Sequence, residues 1–321
     1  MFNRGPVNRD QINGGQPGGD LPSPDQPHGS QPGGSLPGSD VARGGRPGKR
    51  RAGLGLLVSE LALVFRRRRT WALLLALGAV PVLIALAVRF TSGPPAGRGP
   101  AFLDRVAGNG LFVALVGQLV CIPLFLPLTV AVVSGDTIAG EAGHGTLRYL
   151  LLAPVSRGWL LAVKYAGAAV FCGAAAATVA LCGIGIGTLL FPVAPMPLLS
   201  GDTIPLGESF LRLGLVAAYV AVSLLGLSAI GLFVSTLTDV PVGAMAATAV
   251  LAVASQILGQ LPQLEWLHPW LFTHHWLGFA DLLRHPILWD SFRENALLQG
   301  GYVLVFGALA YGRFATKDIL S

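Results

Sequence analysis

Four clusters of residues in this 321-residue chain carry side chains that could do chemistry. Glu141 and His144 stand at i, i+3, where one helix face would present a carboxylate beside an imidazole, the minimum for general acid/base work. They lie among Gly140, Gly143 and Gly145, so a solvated loop is the stronger reading and an intramembrane hydrolase the weaker one. His268, His274, His275 and His285, beside Glu265 and Asp281, would hold a metal only if three or four converged. Adjacent His274 and His275 point in different directions on a helix, which favours interfacial hydrogen bonding. The string GGRPGKR, Gly44 to Arg50, is one residue short of a phosphate loop, puts Arg50 where Ser or Thr would bind magnesium, and follows no apolar strand. GIGIG, Gly183 to Gly187, lacks the third glycine of a dinucleotide fingerprint and sits inside an apolar run. No catalytic, cofactor-binding or metal-binding residue is assigned from these patterns.

The elements that must position any site are membrane helices. Charged residues make up only 12% of the chain, hydrophobic residues 52%, and the mean hydropathy is +0.62. About a quarter of the residues in a soluble domain are charged. A spanning helix needs roughly 20 mostly apolar residues, and six stretches qualify or nearly qualify. The expected fold is an all-α membrane protein of six transmembrane helices, at about 71–89, 111–133, 165–190, 211–235, 241–258 and 297–313. Lys and Arg number 11 before the first span, 3 in the 134–164 loop and 2 after the last, against 6 on the opposite side. The positive-inside rule then gives N-in and C-in. The net charge of +6 is explained by this sorting, with basic residues meeting anionic lipid and no nucleic acid implied. Cys121, Cys172 and Cys182 fall within spans and read as small apolar residues.

Along the chain, residues 1–50 form a Gly/Pro-rich tail, with 12 Gly and 8 Pro in the first 48, and are expected to be disordered and cytoplasmic. The transmembrane domain then covers 51–321. Leu54 to Phe65 has one apolar face interrupted by Ser59 and Glu60 and is followed by Arg66 to Arg69. It is either an interfacial helix with its arginines at headgroup level or an extension of the first span. The second span carries Gln118, Pro123 and Pro127, and the carbonyls that the prolines free need neighbours, which places this helix inside a bundle. Gly183 and Gly187 are spaced for close helix contact. Residues 90–108 read as a simple connector. Trp266, Trp270, Trp276 and Trp289 place the 259–296 segment in an interface as short helices.

Between the second and third spans lies a polar island, Ser134 to Lys164. Gly135, Gly140, Gly143 and Gly145 disfavour a rigid helix in its first half. Thr146 can cap a helix of about two turns, Leu147 to Ala153, that Pro154 stops, and Ser156 can cap the next one. That gives a short amphipathic helix carrying Arg148 beside Leu147, Leu150 and Leu151, suited to a groove on another protein. A simple turn between spans is the alternative.

The island resembles the cytoplasmic loop of ABC-2 type transporter permeases. The residues that carry the likeness are Glu141, the Gly145-Thr146-Leu147-Arg148 run, Leu150, Leu151, Pro154, Ser156, Arg157 and Lys164. SELALVFRRRR resembles the family's N-terminal elbow helix, and the 259–296 segment its outer re-entrant region. The resemblance implies a non-catalytic membrane subunit in the cytoplasmic membrane, exporting a substrate. It implies two cytoplasmic ATPase subunits as partners, a second permease as homodimer or paralogue, and ATP bound by the ATPases, with no cofactor in this chain. Glu141 through Arg157 would form the ATPase-coupling loop. An ion-coupled or facilitative carrier is the alternative, disfavoured because the spans are read as holding no buried ionisable residue.

Overall fold

The computed structural model describes residues 49–91, 108–143, 156–198 and 200–316. All of them belong to the unit Pro47–Ser321. The expected connector therefore falls almost entirely outside the described residues, as do Gly145 to Pro154 of the expected coupling loop, the whole of the predicted Leu147 to Ala153 helix, and the tail.

The described chain is helical. Helix α1 spans Lys49–Arg66 and α2 Arg68–Thr91, with a break at Arg67 where the Thr70 hydroxyl donates to Val64 O and the Trp71 indole to Phe65 O. Helices α3, Phe112–Cys121, and α4, Phe125–Gly143, are joined at an angle of 57°. The sequence explains the bend, since Pro123 and Pro127 each remove an amide from the ladder. Next come α5, Arg157–Leu190, and a two-residue antiparallel ribbon of β1, Met196–Pro197, with β2, Thr203–Ile204. Helices α6, Leu206–Ser223, and α7, Leu225–Leu237, meet at a break at Leu224. Helix α8 covers Pro241–Leu258, two 3-10 stretches follow at Pro262–Trp270 and Gly278–Leu283, and α9 covers Asp290–Thr316.

Among the described residues four helical stretches are long and apolar enough to cross a membrane, and five if the bent α3–α4 pair is one crossing. They are Arg68–Phe90, Arg157–Leu190, Leu206–Leu237 and Pro241–Leu258. The protein is an all-α, multi-pass membrane protein. Helix α9 does not join them on length and composition, because Gln299, Arg313, four glycines and two tyrosines dilute its apolar run.

Helix α5 is the centre of the bundle, in contact with α1, α2, α3, α4, α6, α7 and α9. Its 34 residues extend for about 51 Å at 1.5 Å each. Its buried face is mostly Ala and Gly, among them Ala168, Ala175, Ala176, Gly183 and Gly187, so neighbouring backbones come close. A methyl at Gly183 would stand 2.5 Å from the Ala114 Cα, and one at Gly187 would collide with the Gly110 carbonyl. The expected small-residue contact is therefore present, and its partner is the start of α3.

Two expectations fail. Glycines were to keep 134–143 from forming a rigid helix, yet α4 runs through to Gly143. At Gly135 the Met245 backbone of α8 lies 2.8 Å from where a Cβ would be, so this glycine permits contact where propensity alone predicted a hinge. The Ser235 hydroxyl oxygen of α7 accepts from the amides of Ile138, at 2.9 Å, and Ala139, at 2.8 Å, binding the same turn from the other side. The second failure concerns ionisable groups. Helix α5 begins at Arg157, ahead of the expected span at 165, and takes in Lys164; Arg212 lies inside the expected 211–235 span itself, and both side chains are buried.

The segment after α8 does not simply lie in an interface. Trp266, Trp270 and Trp289 are exposed as expected, but Trp276 is buried and its indole donates to Ser223 O at the α6–α7 break. Buried Asn295 and Gln299 of α9 complete the attachment. Asn295 donates to the Ser223 hydroxyl, while Gln299 donates to Phe272 O and accepts from the Gly226 amide. At the segment's other end the buried Arg212 guanidinium pairs with Glu208 and donates to Leu282 O and Arg284 O.

Gly187→Val should destabilise the protein by about 1–3 kcal/mol, whereas Gly185→Val, where nothing lies within 4 Å, should be silent. Thermal unfolding in detergent reads both, and equal effects would discard the close-contact account. Gln299→Leu should cost about 1–3 kcal/mol, because the Gly226 amide and Phe272 carbonyl lose their partner inside the bundle. An unchanged midpoint would mean the segment is held by packing alone.

Candidate functional site

Residues 144–155 lie between the ends of α4 and α5, so the site is what those two ends touch. Glu141 is two residues from the end of α4, and Lys164 is two turns into α5. The Lys164 ammonium, 4% exposed, lies 2.5 Å from Glu141 Oε1 and 3.3 Å from Glu60 Oε1 of α1. Both carboxylates are 13% exposed. Glu60 is the charge that interrupts the apolar face of α1, and its partner lies 104 residues further along. Its position alone was a signal, because a carboxylate on an otherwise apolar helix face needs a cation from the element it packs against.

A second group adjoins the first. Asp136, one turn before Gly140, accepts from Arg67 Nη1 at 2.8 Å and lies 3.4 Å from Arg69 Nη1. Arg69 also donates to Val132 O at 3.0 Å. Two of the four arginines expected at headgroup level are thus turned onto α4, drawn by a carboxylate only 16% exposed. With three cations and three carboxylates, the six groups are neutral together. They surround a cavity of about 50 Å³, room for only about a few water molecules. The cluster is a joint between α1, α2, α4 and α5, and ligands are not its business.

The other edge of the loop is held separately. The Ser156 hydroxyl oxygen caps α5 by accepting from the Trp159 amide at 3.4 Å. Arg157 Nη1 donates to Phe314 O at 3.2 Å and Ala315 O at 3.0 Å, the terminal carbonyls of α9, where a cation also meets the negative end of the helix dipole. Glu141 and Arg157, both assigned to the coupling loop, tie the two helix ends that flank it to other helices. Gly145, Thr146, Leu147, Arg148, Leu150, Leu151 and Pro154 lie outside the described residues. So does His144, and Glu141 without it stands as an ion-pair partner of Lys164.

The outer histidines are dispersed. His268 Nε2 lies 3.1 Å from Leu261 O, and the His274 and His275 rings meet edge to face at 4.7 Å. Among the described residues no three His, Cys, Asp or Glu side chains are placed to hold a metal.

Lys164→Met should cost about 3–5 kcal/mol by leaving two carboxylates buried without their cation. Lys164→Met with Glu60→Gln and Glu141→Gln should recover most of that loss in detergent melts. A triple variant as unstable as the single one would show that charge pairing is not what holds the joint.

A family model described as ABC-2 family transporter protein matches residues 54–276. No curated protein matches the chain. The match begins within α1, covers the charged joint and both edges of the 144–155 loop, and ends at Trp276, the residue that fastens the far segment to the α6–α7 break. By a match over more than two thirds of its length, this multi-pass membrane chain belongs to the ABC-2 family of transporter proteins.

Proposed function

We propose that this permease is the membrane subunit of an ATP-driven exporter in the cytoplasmic membrane. In this reading α9 is a sixth span, both termini are cytoplasmic, residues 1–50 are a cytoplasmic tail and 51–321 the transmembrane domain. The charged joint and the 144–155 loop then face the cytoplasm. Two ATPase subunits bind ATP and hydrolyse it, and a second permease, the same chain or a paralogue, completes the pathway. This chain itself catalyses nothing and carries no cofactor.

The observation that carries the reading is that both edges of the 144–155 loop are fastened to other helices. Glu141 ties one edge through Lys164 to α1 and α5, and Arg157 ties the other to the end of α9. A loop that only turned the chain around would need neither tie. With both, a push on Thr146 to Ala153 is delivered to α1, α4, α5 and α9 together. Leu147, Leu150 and Leu151 would fill the groove of the ATPase, Arg148 would orient the contact, and Gly145 and Pro154 would set the limits of the docking helix. Ser156 and Arg157 would keep α5 in register with it.

Affinity capture of the full chain in mild detergent should recover an ATPase bearing a phosphate loop. Leu147→Asp and Arg148→Glu should each lower that recovery about tenfold or more, the equivalent of roughly 1.4 kcal/mol, with unchanged melting of the permease. Wild-type levels of capture and of transport-linked ATP hydrolysis in both variants would remove the loop from its assigned role.

A further inference from the structure

At the end of the bundle opposite the charged joint, a cavity of about 220 Å³ lies between the α3–α4 bend, the end of α8 and the loop that carries Trp276. Its wall at the bend has unusual chemistry. Pro123 and Pro127 have no amide hydrogen for the carbonyls four residues earlier, Leu119 O and Pro123 O. Gln256 Nε2 of α8 donates to Pro123 O at 2.6 Å, while Leu119, half-exposed, lines the cavity with its carbonyl deprived of its helical donor. Facing it are Gln256, Gln260, Thr273 and His274, and the remaining wall includes Ile122, Leu271 and Leu277.

No Asp, Glu, Lys or Arg is among the described residues that line this cavity. Burial foremost, and then His275 and His268, push the His274 imidazole below its ordinary value, with Glu294 opposing, so it is neutral at pH 7. A phosphate or ammonium placed here would be desolvated without a counter-charge, which costs several kcal/mol. A hydroxyl or amide would find both acceptors and donors. From the bend, the exposed side chains of Val120, Leu124, Phe125 and Leu128 extend an apolar surface away from the polar wall. Membrane carriers form their binding sites at broken helices, and a backbone carbonyl freed there is an acceptor for a hydroxyl or amide.

We infer that this cavity binds the uncharged, hydrogen-bonding head of an amphiphile whose apolar tail lies along Val120 to Leu128. The inference deepens the exporter reading by giving the class of cargo. It also separates cargo from bilayer phospholipid, since the phosphate of the latter has no cation to meet.

The test uses the full chain in phosphatidylcholine nanodiscs, without ATPase, and two photoactivatable probes with the same diazirine-bearing acyl chain. One is a neutral monoacylglycerol and the other a lysophosphatidate. The neutral probe should label peptides within 119–128 and 256–277 at least about fivefold more than the anionic one, roughly 1 kcal/mol of discrimination. Leu277→Trp, at a half-exposed position, should fill the cavity and lower neutral labelling to the same degree. His274→Lys should reverse the preference in favour of lysophosphatidate. Equal labelling by both probes, or labelling indifferent to Leu277→Trp and His274→Lys, would overturn the assignment. Because no ATPase takes part, these outcomes are independent of whether one is captured by the 144–155 loop.

Discussion

The ammonium of Lys164 is the group on which the described architecture most depends. It is almost wholly removed from water, and two carboxylates from segments distant in sequence converge on it. A buried cation with a single partner often contributes little net stability, because desolvation consumes the Coulombic gain. Two carboxylates change the arithmetic of position more than of energy. Glu60 can be satisfied only if α1 lies against α5, and Glu141 only if α4 continues as a helix to within reach. The pairing therefore selects one arrangement of α1, α4 and α5 out of many with comparable apolar burial. Asp136, with Arg67 and Arg69, adds the start of α2 to that arrangement.

The two ends of the bundle are built on different physics. At one, opposite charges gathered around the buried Lys164 ammonium and the Asp136 carboxylate fix the helices. At the other, neutral amides and carbonyls do so, through Trp276, Asn295, Gln299 and the Ser223 backbone. Neutral hydrogen bonds can exchange partners at smaller cost than ion pairs can in a low-dielectric medium. On the function proposed above, force would enter at the charged end and the neutral end would be the one to open.

Much of this was legible beforehand. Apolar run length located the α2, α5 and α8 stretches, and Gly183 with Gly187 located a close helix contact, while the 57° bend at Pro123 and Pro127 fell inside what read as one continuous span. The 134–164 island was recognisable by its charges and its likeness to the ABC-2 loop, and the family match bears that likeness out. What stayed hidden was pairing. Nothing local tells that Lys164 belongs with Glu60, or that Arg157 serves α9, because both partnerships arise only when helices distant in sequence pack. The same limit explains Gly135, whose type suggested a flexible joint while its neighbour, the Met245 backbone, makes it a contact point. Arg212 went unrecognised as a buried cation for a similar reason, since the carbonyls it satisfies lie 70 and 72 residues away.

The amide that Gln256 lends to Pro123 O has a geometric consequence. Rise along a helix is 1.5 Å per residue, and a hydrogen bond tolerates only a few tenths of an ångström before it weakens. Helix α8 therefore cannot slide along its axis by even one residue, or turn by the 100° that accompanies such a step, without baring a carbonyl inside the membrane domain. The α3–α4 bend is in effect indexed to α8 as a tooth is to a rack. Any widening between them must be a pivot about that bond or a break of it, which limits the motions open to this side of the bundle to two.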